Sequence, residues 1–435
     1  MTSISRIRIS VFFSALSINL FSPFVSLYAL KLGATNFQIG LIASLTTLVS
    51  VTAQLLSLPF TLSSRNRLLL YIIFDSIGSL LFIPIAFIED ANQLVFYLLL
   101  QSFFFSFPIQ IWNEFQIKSF PTWRRGIEIG ILNKIAAVAA FISYVVAGYT
   151  IRKYGFIPYL FFAAAFLNIV SNLVLIGIKE ERGFEKSLRL AIMEILKFEG
   201  FKNHKFKKLL LASFAFNFAV AIGSTMFSVY LIKHLGANSI QLSIVSIISL
   251  TVSIMFSEAW GKVTDLIGRR EVILAGLPLI AIFPFLYLVS EKMSEIYLFT
   301  FIGQIGWIAY NISMFSYLAD ISKNSPQIYF AFFNAFSNVA TIIGSIISGY
   351  IADVLGIKSA LMISFYLRII SIFFFLSLGE KKGYMPTGFL SFLSPYTIFS
   401  HIESLVSIYS IVFEETRKSV IERVLLRVKN ILKGK

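Results

Sequence analysis

The sequence predicts an all-α integral membrane protein of about 12 transmembrane helices, built as two parallel six-helix repeats. Three observations carry this. Of the 435 residues, 57% are hydrophobic and only 14% charged, with a mean hydropathy of +0.82, more apolar surface than a water-soluble core uses. Apolar runs of about 20 residues, long enough to cross the hydrocarbon core as a helix, recur about twelve times along the chain. Finally, one segment is written twice: SLYALKLGATNFQIG from Ser26 aligns with SVYLIKHLGANSIQLS from Ser228 after one inserted residue. Tyr28 then falls on Tyr230, Leu32-Gly33-Ala34 on Leu235-Gly236-Ala237, and Gln38 on Gln241.

Taken in order, the runs centre near Asn19, Thr47, Gly78, Phe104, Ala139 and Phe166, then near Ala221, Ser249, Leu279, Gly306, Thr341 and Ile369. Further pairs keep nearly the same offset. Gln101 falls on Gln304 in the fourth and tenth spans; Asn133, Gly148-Tyr149 and Gly155 fall on Asn334, Gly349-Tyr350 and Gly356 in the fifth and eleventh; Glu180 falls on Glu380 just past the sixth and twelfth. An even number of spans per half means that both repeats enter from the same side. The expected organisation is a first bundle over 1–179, a cytoplasmic linker over 180–207, a second bundle over 208–379 and a cytoplasmic amphipathic tail over 380–435. In the linker, Leu188, Ala191, Ile192, Ile195 and Leu196 keep a helical apolar stripe. In the tail, Leu405, Val406, Tyr409, Val412, Phe413, Val420, Val424, Val428 and Ile431 do the same, with Arg417, Lys418, Arg423, Arg427 and Lys429 elsewhere. Pro395, His401 and Glu403 disfavour a thirteenth span. The tail reads as a helix on the inner leaflet, held by apolar burial and anionic headgroups; the alternative is a helix packed on the protein's own cytoplasmic face.

The net charge of +15 does not point to nucleic acid, because the basic residues sit where the positive-inside rule needs them. Arg6 and Arg8 precede the first span, Arg65 and Arg67 follow the second, Lys118, Arg124 and Arg125 the fourth, residues 179–208 the sixth, and Lys262, Arg269 and Arg270 the eighth. Both termini become cytoplasmic, in a multi-pass protein of the plasma membrane. The opposite loops are less basic, as at Glu89-Asp90, with Arg152-Lys153 as the exception. The chain has no cysteine, which excludes disulfides and thiolate metal sites. The first apolar run continues to Ala29 without a small-residue cleavage site and reads as a retained span.

The segment Gly261-Lys-Val-Thr-Asp265-Leu-Ile-Gly268-Arg269-Arg270 resembles the loop signature between the second and third helices of a half in the major facilitator superfamily, and the resemblance covers nearly all of the chain through Leu378. Glycines at 261 and 268 suit a tight cytoplasmic turn, Asp265 suits a helix N-terminus, and the arginines can clamp carboxylates. The first half, Leu58-Pro59-Phe60-Thr61-Leu62-Ser63-Ser64-Arg65-Asn66-Arg67, has neither those glycines nor the aspartate. By the family's pseudosymmetry Asp265 is expected near Arg125-Gly126-Ile127. Gln101 stands where many members resembling proton antiporters carry arginine, and Ala147-Gly148-Tyr149 lacks the Gly-Pro element typical of drug antiporters.

The resemblance implies a cavity lined mainly by the first and fourth helices of each half. Asn19, Ser22 and Ser26 share a face of the first helix, and Asn217, Ser224 and Ser228 repeat the stripe in the seventh. Gln304, Trp307 and Asn311 share a face of the tenth, against the drier Gln101, Phe104 and Pro108 of the fourth. The eleventh carries Asn334, Asn338, Thr341 and Ser345. The cavity is therefore expected to draw more hydrogen-bonding groups from the second half, although each amide has an interhelical hydrogen bond as its alternative role. Among charges within the spans, Glu114 and Lys134 are read as gate groups with Arg125, and Asp75 as the proton-coupling candidate. Glu258 lies toward a cytoplasmic helix end, and Arg368 is read as a structural residue of the twelfth helix.

The expected function is secondary active or facilitative movement of a small organic solute by rocker-type alternating access. The expected partners are that solute, the lipid bilayer and a coupling proton or ion, with the protein a monomer and no cofactor or metal. The absence of a Gly-rich phosphate loop with lysine argues against a nucleotide site. A lipid-modifying enzyme is disfavoured because His204, His234 and His401 all fall outside the spans. The main alternative is a transporter-like receptor or scaffold.

Overall fold

The computed structural model describes residues 3–63, 66–109, 111–112, 115, 119, 125–178, 200–322, 326–378, 409–410, 412–414 and 416–417. Among the described residues there is no strand. The helices are α1 (Ser3–Lys31), α2 (Asn36–Ser63), α3 (Arg67–Ile85), α4 (Ala91–Ser106), α5 (Arg125–Tyr154), α6 (Pro158–Leu175), α7 (His204–Leu235), α8 (Ser239–Ile267), α9 (Arg269–Val289), α10 (Met293–Ile321), α11 (Pro326–Val354) and α12 (Ile357–Leu376). Among the described residues eleven helices are long and apolar enough to cross a membrane; α4 has 16 residues in its regular part. Helices are what such runs must form, since lipid offers no partner to an unpaired backbone N–H or C=O.

Local chemistry sets the breaks. Pro23 forces a 3-10 turn, Ser22–Phe24, inside α1, because its ring leaves a missing donor in the ladder. The duplicated Leu-Gly-Ala ends both α1 and α7: Gly33 has φ +79 and Gly236 φ +62, the left-handed conformation that glycine adopts without penalty. After α1 the amides of Gly33 and Ala34 return to the carbonyls of Leu30 and Ala29, at 3.1 and 3.0 Å, a Schellman closure. Asp90 caps α4 by accepting the Asn92 amide at 2.6 Å.

In the first half α1 packs most closely on α6 and α5, with small polar residues letting the backbones approach. Ser17 donates to the Ala164 carbonyl at 2.6 Å and Ser143 to that of Leu16 at 2.8 Å. In the second half α9 and α10 meet at glycines: a Cβ on Gly276 would lie 2.7 Å from the Gly306 carbonyl, and one on Gly306 would lie 2.7 Å from that of Gly276. Large apolar side chains such as Phe166, Leu298 and Phe315 are exposed, more than a water-facing surface normally carries.

Two compact units result. One holds Met1–Phe198, Val220–Ile247 and Ser337–Ile363; the other holds Glu199–Ala219, Ile248–Phe336 and Ser364–Lys435. The division runs across α7, α8, α11 and α12 rather than between the two repeats. The linker helix expected over 180–207 falls mostly outside the described residues. Of the tail, the described residues near 409–417 pack on the second half: Val412 is fully buried among Trp260, Val263, Val272 and Ala275, the Tyr409 ring meets Trp260 edge-on, and the Tyr409 hydroxyl donates to the Ala275 carbonyl at 2.7 Å. Val412 and Tyr409 of this stretch therefore pack on the protein's own α8 and α9, with Phe413 half exposed beside them.

Candidate functional site

In the first unit a cavity of about 280 Å3 is lined by Ser10, Ser14 and Asn19 of α1, Tyr71 of α3, Trp112, and Asn133 of α5. Asn19 donates to the Ala15 carbonyl at 2.8 Å, and its Oδ1 accepts the Tyr144 hydroxyl at 2.9 Å. Tyr71 and Trp112 are stacked, with centroids 5.0 Å apart and planes 20° from parallel. An aromatic wall facing amides and hydroxyls suits a small solute with both apolar and hydrogen-bonding parts. The 3-10 turn interrupts the stripe expected along α1. Ser22 is exposed and Ser26 half-buried, since three residues per turn replace 3.6 there.

The other amides divide between units and partners. Gln101 is buried and donates to the Gly78 carbonyl at 3.2 Å; its repeat mate Gln304 donates to Ser253 Oγ at 3.0 Å. Trp307 packs on Phe216 with centroids 5.9 Å apart, while Asn311 is exposed. Asn217 and Ser224 bond back to carbonyls of their own helix, at 2.8 and 3.5 Å. Asn334 is exposed and Asn338 half-buried.

At the α8–α9 corner Gly268 has φ +121 and caps α9, so it makes the turn alone; Gly261 lies inside α8, where a Cβ would meet nothing within 4 Å. Arg269 reaches Asp265 at 3.0 Å and Asp320 of α10 at 3.2 Å, and donates to the Thr264 carbonyl at 2.8 Å. Arg270 pairs with Glu271 at 3.1 Å and donates to the Leu376 carbonyl of α12 at 2.8 Å. One arginine thus ties α8 to α10, the other α9 to α12. Glu258 pairs with Lys262 at 3.6 Å on the exposed side of α8. Arg125 opens α5 with its side chain outside the described set, Glu114 lies outside it altogether, and Lys134 is exposed. An ion pair unforeseen from the sequence, Arg8 to the buried Glu128 at 2.6 Å, joins the beginnings of α1 and α5.

Asp75 is buried in α3, and its Oδ2 accepts from Asn168 Nδ2 at 2.7 Å and Asn172 Nδ2 at 2.8 Å, both on α6. The repeat mate of Asn168 is Arg368, 1% exposed, which donates to the Ile280 carbonyl of α9 at 2.8 Å and to Ser364 at 3.1 Å. The third and last helices of each half are thus joined by a buried polar group of different charge.

Within the first unit the two repeats also meet at the helix ends away from the N-terminus. The amides of Asn36 and Phe37, which open α2, donate to the Asp353 carboxylate at the end of α11, at 3.1 and 2.9 Å. Lys233 Nζ donates to Asn36 Oδ1 at 2.9 Å. One turn deeper a Cβ on Gly40 would lie 2.6 Å from the Ser345 carbonyl and 3.1 Å from the Gly349 Cα. The repeat-related pair behaves alike: Ser239 and Ser243 of α8 donate to the carbonyls of Gly148 and Tyr144 on α5, at 2.7 and 2.8 Å. Sequence reasoning found the Gly148/Gly349 match but missed Asp353. Its signal was there, since it stands opposite Arg152 in the repeat register.

Two six-helix repeats of parallel topology, meeting through matched glycine crossings, define a transporter-class membrane fold. The chain belongs to the Major Facilitator Superfamily, whose sequence pattern matches residues 8–257 and 209–413. It is 25% identical over 371 residues to an uncharacterized MFS-type transporter of Methanocaldococcus jannaschii, covering 81% of this chain and 92% of that one. Among solved structures it is similar to a mutant of the nucleoside transporter NupG, at TM-score 0.74 and 13% identity, over 87% of this chain and 100% of that one. It is also similar to a bacterial homolog of the human lysosomal transporter Spinster, inward-facing and unoccupied, at TM-score 0.67 and 11% identity, over 86% and 95%. At such identities these likenesses carry the fold alone.

Proposed function

We propose that this protein moves a small organic solute, neutral or amphipathic, across the plasma membrane by rocker-type alternating access, as a monomer with both termini cytoplasmic. The observation that carries the reading is the pair of pseudosymmetric crossings, α2 with α11 and α5 with α8, whose contacts lie at the ends that the positive-inside rule puts outside the cell. Such contacts form an outer closure that one alternation state has and the other lacks. In the first unit Asn19, with the stacked Tyr71 and Trp112, and Asn338 are solute-contact candidates; in the second unit Gln304, Trp307, Asn311 and Asn334 are. Asp265, Arg269 and Arg270 hold the inner gate, and Asp75 is the coupling group, with anionic lipid headgroups meeting the basic tail. Counterflow of a solute panel in proteoliposomes tests this. Flux lost on replacing Asn19 or Gln304 by alanine is expected; binding without counterflow would instead make the protein a receptor.

A further inference from the structure

The polar cluster between α3 and α6 has a chemistry that helix packing leaves unexplained. Asp75 carries its carboxyl inside a membrane-spanning helix, and no lysine, arginine or histidine pairs with it among the described residues. A buried charge without a counter-charge is costly. Both neighbouring amides turn Nδ2 toward the same carboxylate oxygen, and the Oδ1 atoms of Asn168 and Asn172 are buried without a hydrogen-bond partner. Hydroxyl oxygens complete the cluster: Ser79 Oγ lies 2.5 Å from Asn168 Nδ2, and Ser76 Oγ 3.0 Å from Asn172 Nδ2. The cluster lies beside the first-half cavity: Ser10, which lines that cavity, shares a 2.8 Å hydrogen bond with Ser171, next to Asn172.

We propose that Asp75, Asn168 and Asn172 form a binding site for a monovalent alkali cation, buried between α3 and α6 and reached from the cavity past Ser10 and Ser171. This rests on the coupling role given to Asp75 above and names the ion. A half-turn of either amide about its last side-chain bond exchanges Nδ2 for Oδ1, so both can present oxygen to a cation at the carboxylate. The donor set is then one carboxylate, two amide oxygens and two hydroxyls, all hard oxygen ligands. One carboxylate balances a single positive charge; a divalent ion would leave a net charge buried in the membrane. A proton supplies only one donor and satisfies at most one of the two orphaned amide oxygens.

The test is thermal unfolding of the full-length protein in detergent at constant pH and ionic strength, with sodium, potassium or lithium chloride replacing choline chloride. At least one alkali cation should raise Tm saturably, and Asp75→Asn should abolish the rise while Asn168→Ala weakens it. So that the test does not depend on the folding of Asp75→Asn, the wild-type rise is also followed at falling pH, where protons should compete and move the half-maximal cation concentration upward. A Tm equal in all four salts, or a rise that Asp75→Asn and Asn168→Ala both keep, overturns the proposal. So does stabilisation by protons alone. Solute counterflow measured in choline separates the readings: flux that persists without any cation response removes the site and leaves the transporter.

Discussion

Replacing Asp353 by alanine should loosen the closure between the beginning of α2 and the end of α11. The first amides of a helix have no partner within it, and here Asp353 takes two of them, at 3.1 and 2.9 Å. Losing a capping acceptor costs about 0.5–2 kcal/mol. The carboxylate also sits at the positive end of the α2 dipole, worth about 0.3–1 kcal/mol where exposed. Asp353 is exposed, so water takes over part of the loss, and about 1.4 kcal/mol is a reasonable net value, roughly a tenfold change in an equilibrium constant. That shift counts only in the state where the two ends touch, so it moves the population toward the separated state. The chain has no cysteine, which allows spin labels at the exposed Lys31→Cys and Leu355→Cys without background. Asp353→Ala should raise the long-distance population about tenfold relative to the short one, and Asp353→Asn, which keeps an acceptor without the charge, should raise it less. Distance distributions identical in Asp353→Ala and the parent would refute the argument.

Gly349→Ala should act in the same direction, because its Cβ would stand 2.8 Å from the Phe37 Cα and 2.9 Å from the Asn36 carbonyl, overpacking of about 1–3 kcal/mol; the same spin-label pair reports it. Tyr409→Phe keeps the ring on Trp260 but loses the bond to Ala275, so it should lower stability by about 1 kcal/mol. Truncation before Tyr409 should cost more and shift Trp260 emission to the red. At the α8–α9 corner, Asp320→Asn removes a carboxylate from Arg269 and, the pair being half-exposed, should lower the unfolding free energy by no more than about 1 kcal/mol; a large loss measured by calorimetry would mean that the ion pair has a structural role beyond its charge.

Gln101 and Gln304 illustrate the limits of sequence reading. Their match fixed the register, yet one is buried against a glycine carbonyl of α3 and the other meets a serine of α8. The same letter therefore has two partners, because partners depend on helix rotation that no local pattern records. Asn19 was found as a polar residue on an apolar helix and does line a cavity. Its companion Ser22 is displaced by the 3-10 turn at Pro23, which a uniform 3.6-residue period does not register.

What the sequence determined alone was whatever local chemistry dictates: the spans, from apolar runs that lipid obliges to be helical; the turns at Gly33 and Gly236, from duplicated letters; the family, from a loop signature and a repeat. Only the tertiary structure could decide that Asp353 caps a helix 317 positions away, that two asparagines converge on Asp75, and that Tyr409 and Val412 cover α8 and α9. Each depends on how distant helices cross. Crossing angles come from side chains interlocking over whole faces, a property of pairs of helices that neither sequence segment contains by itself.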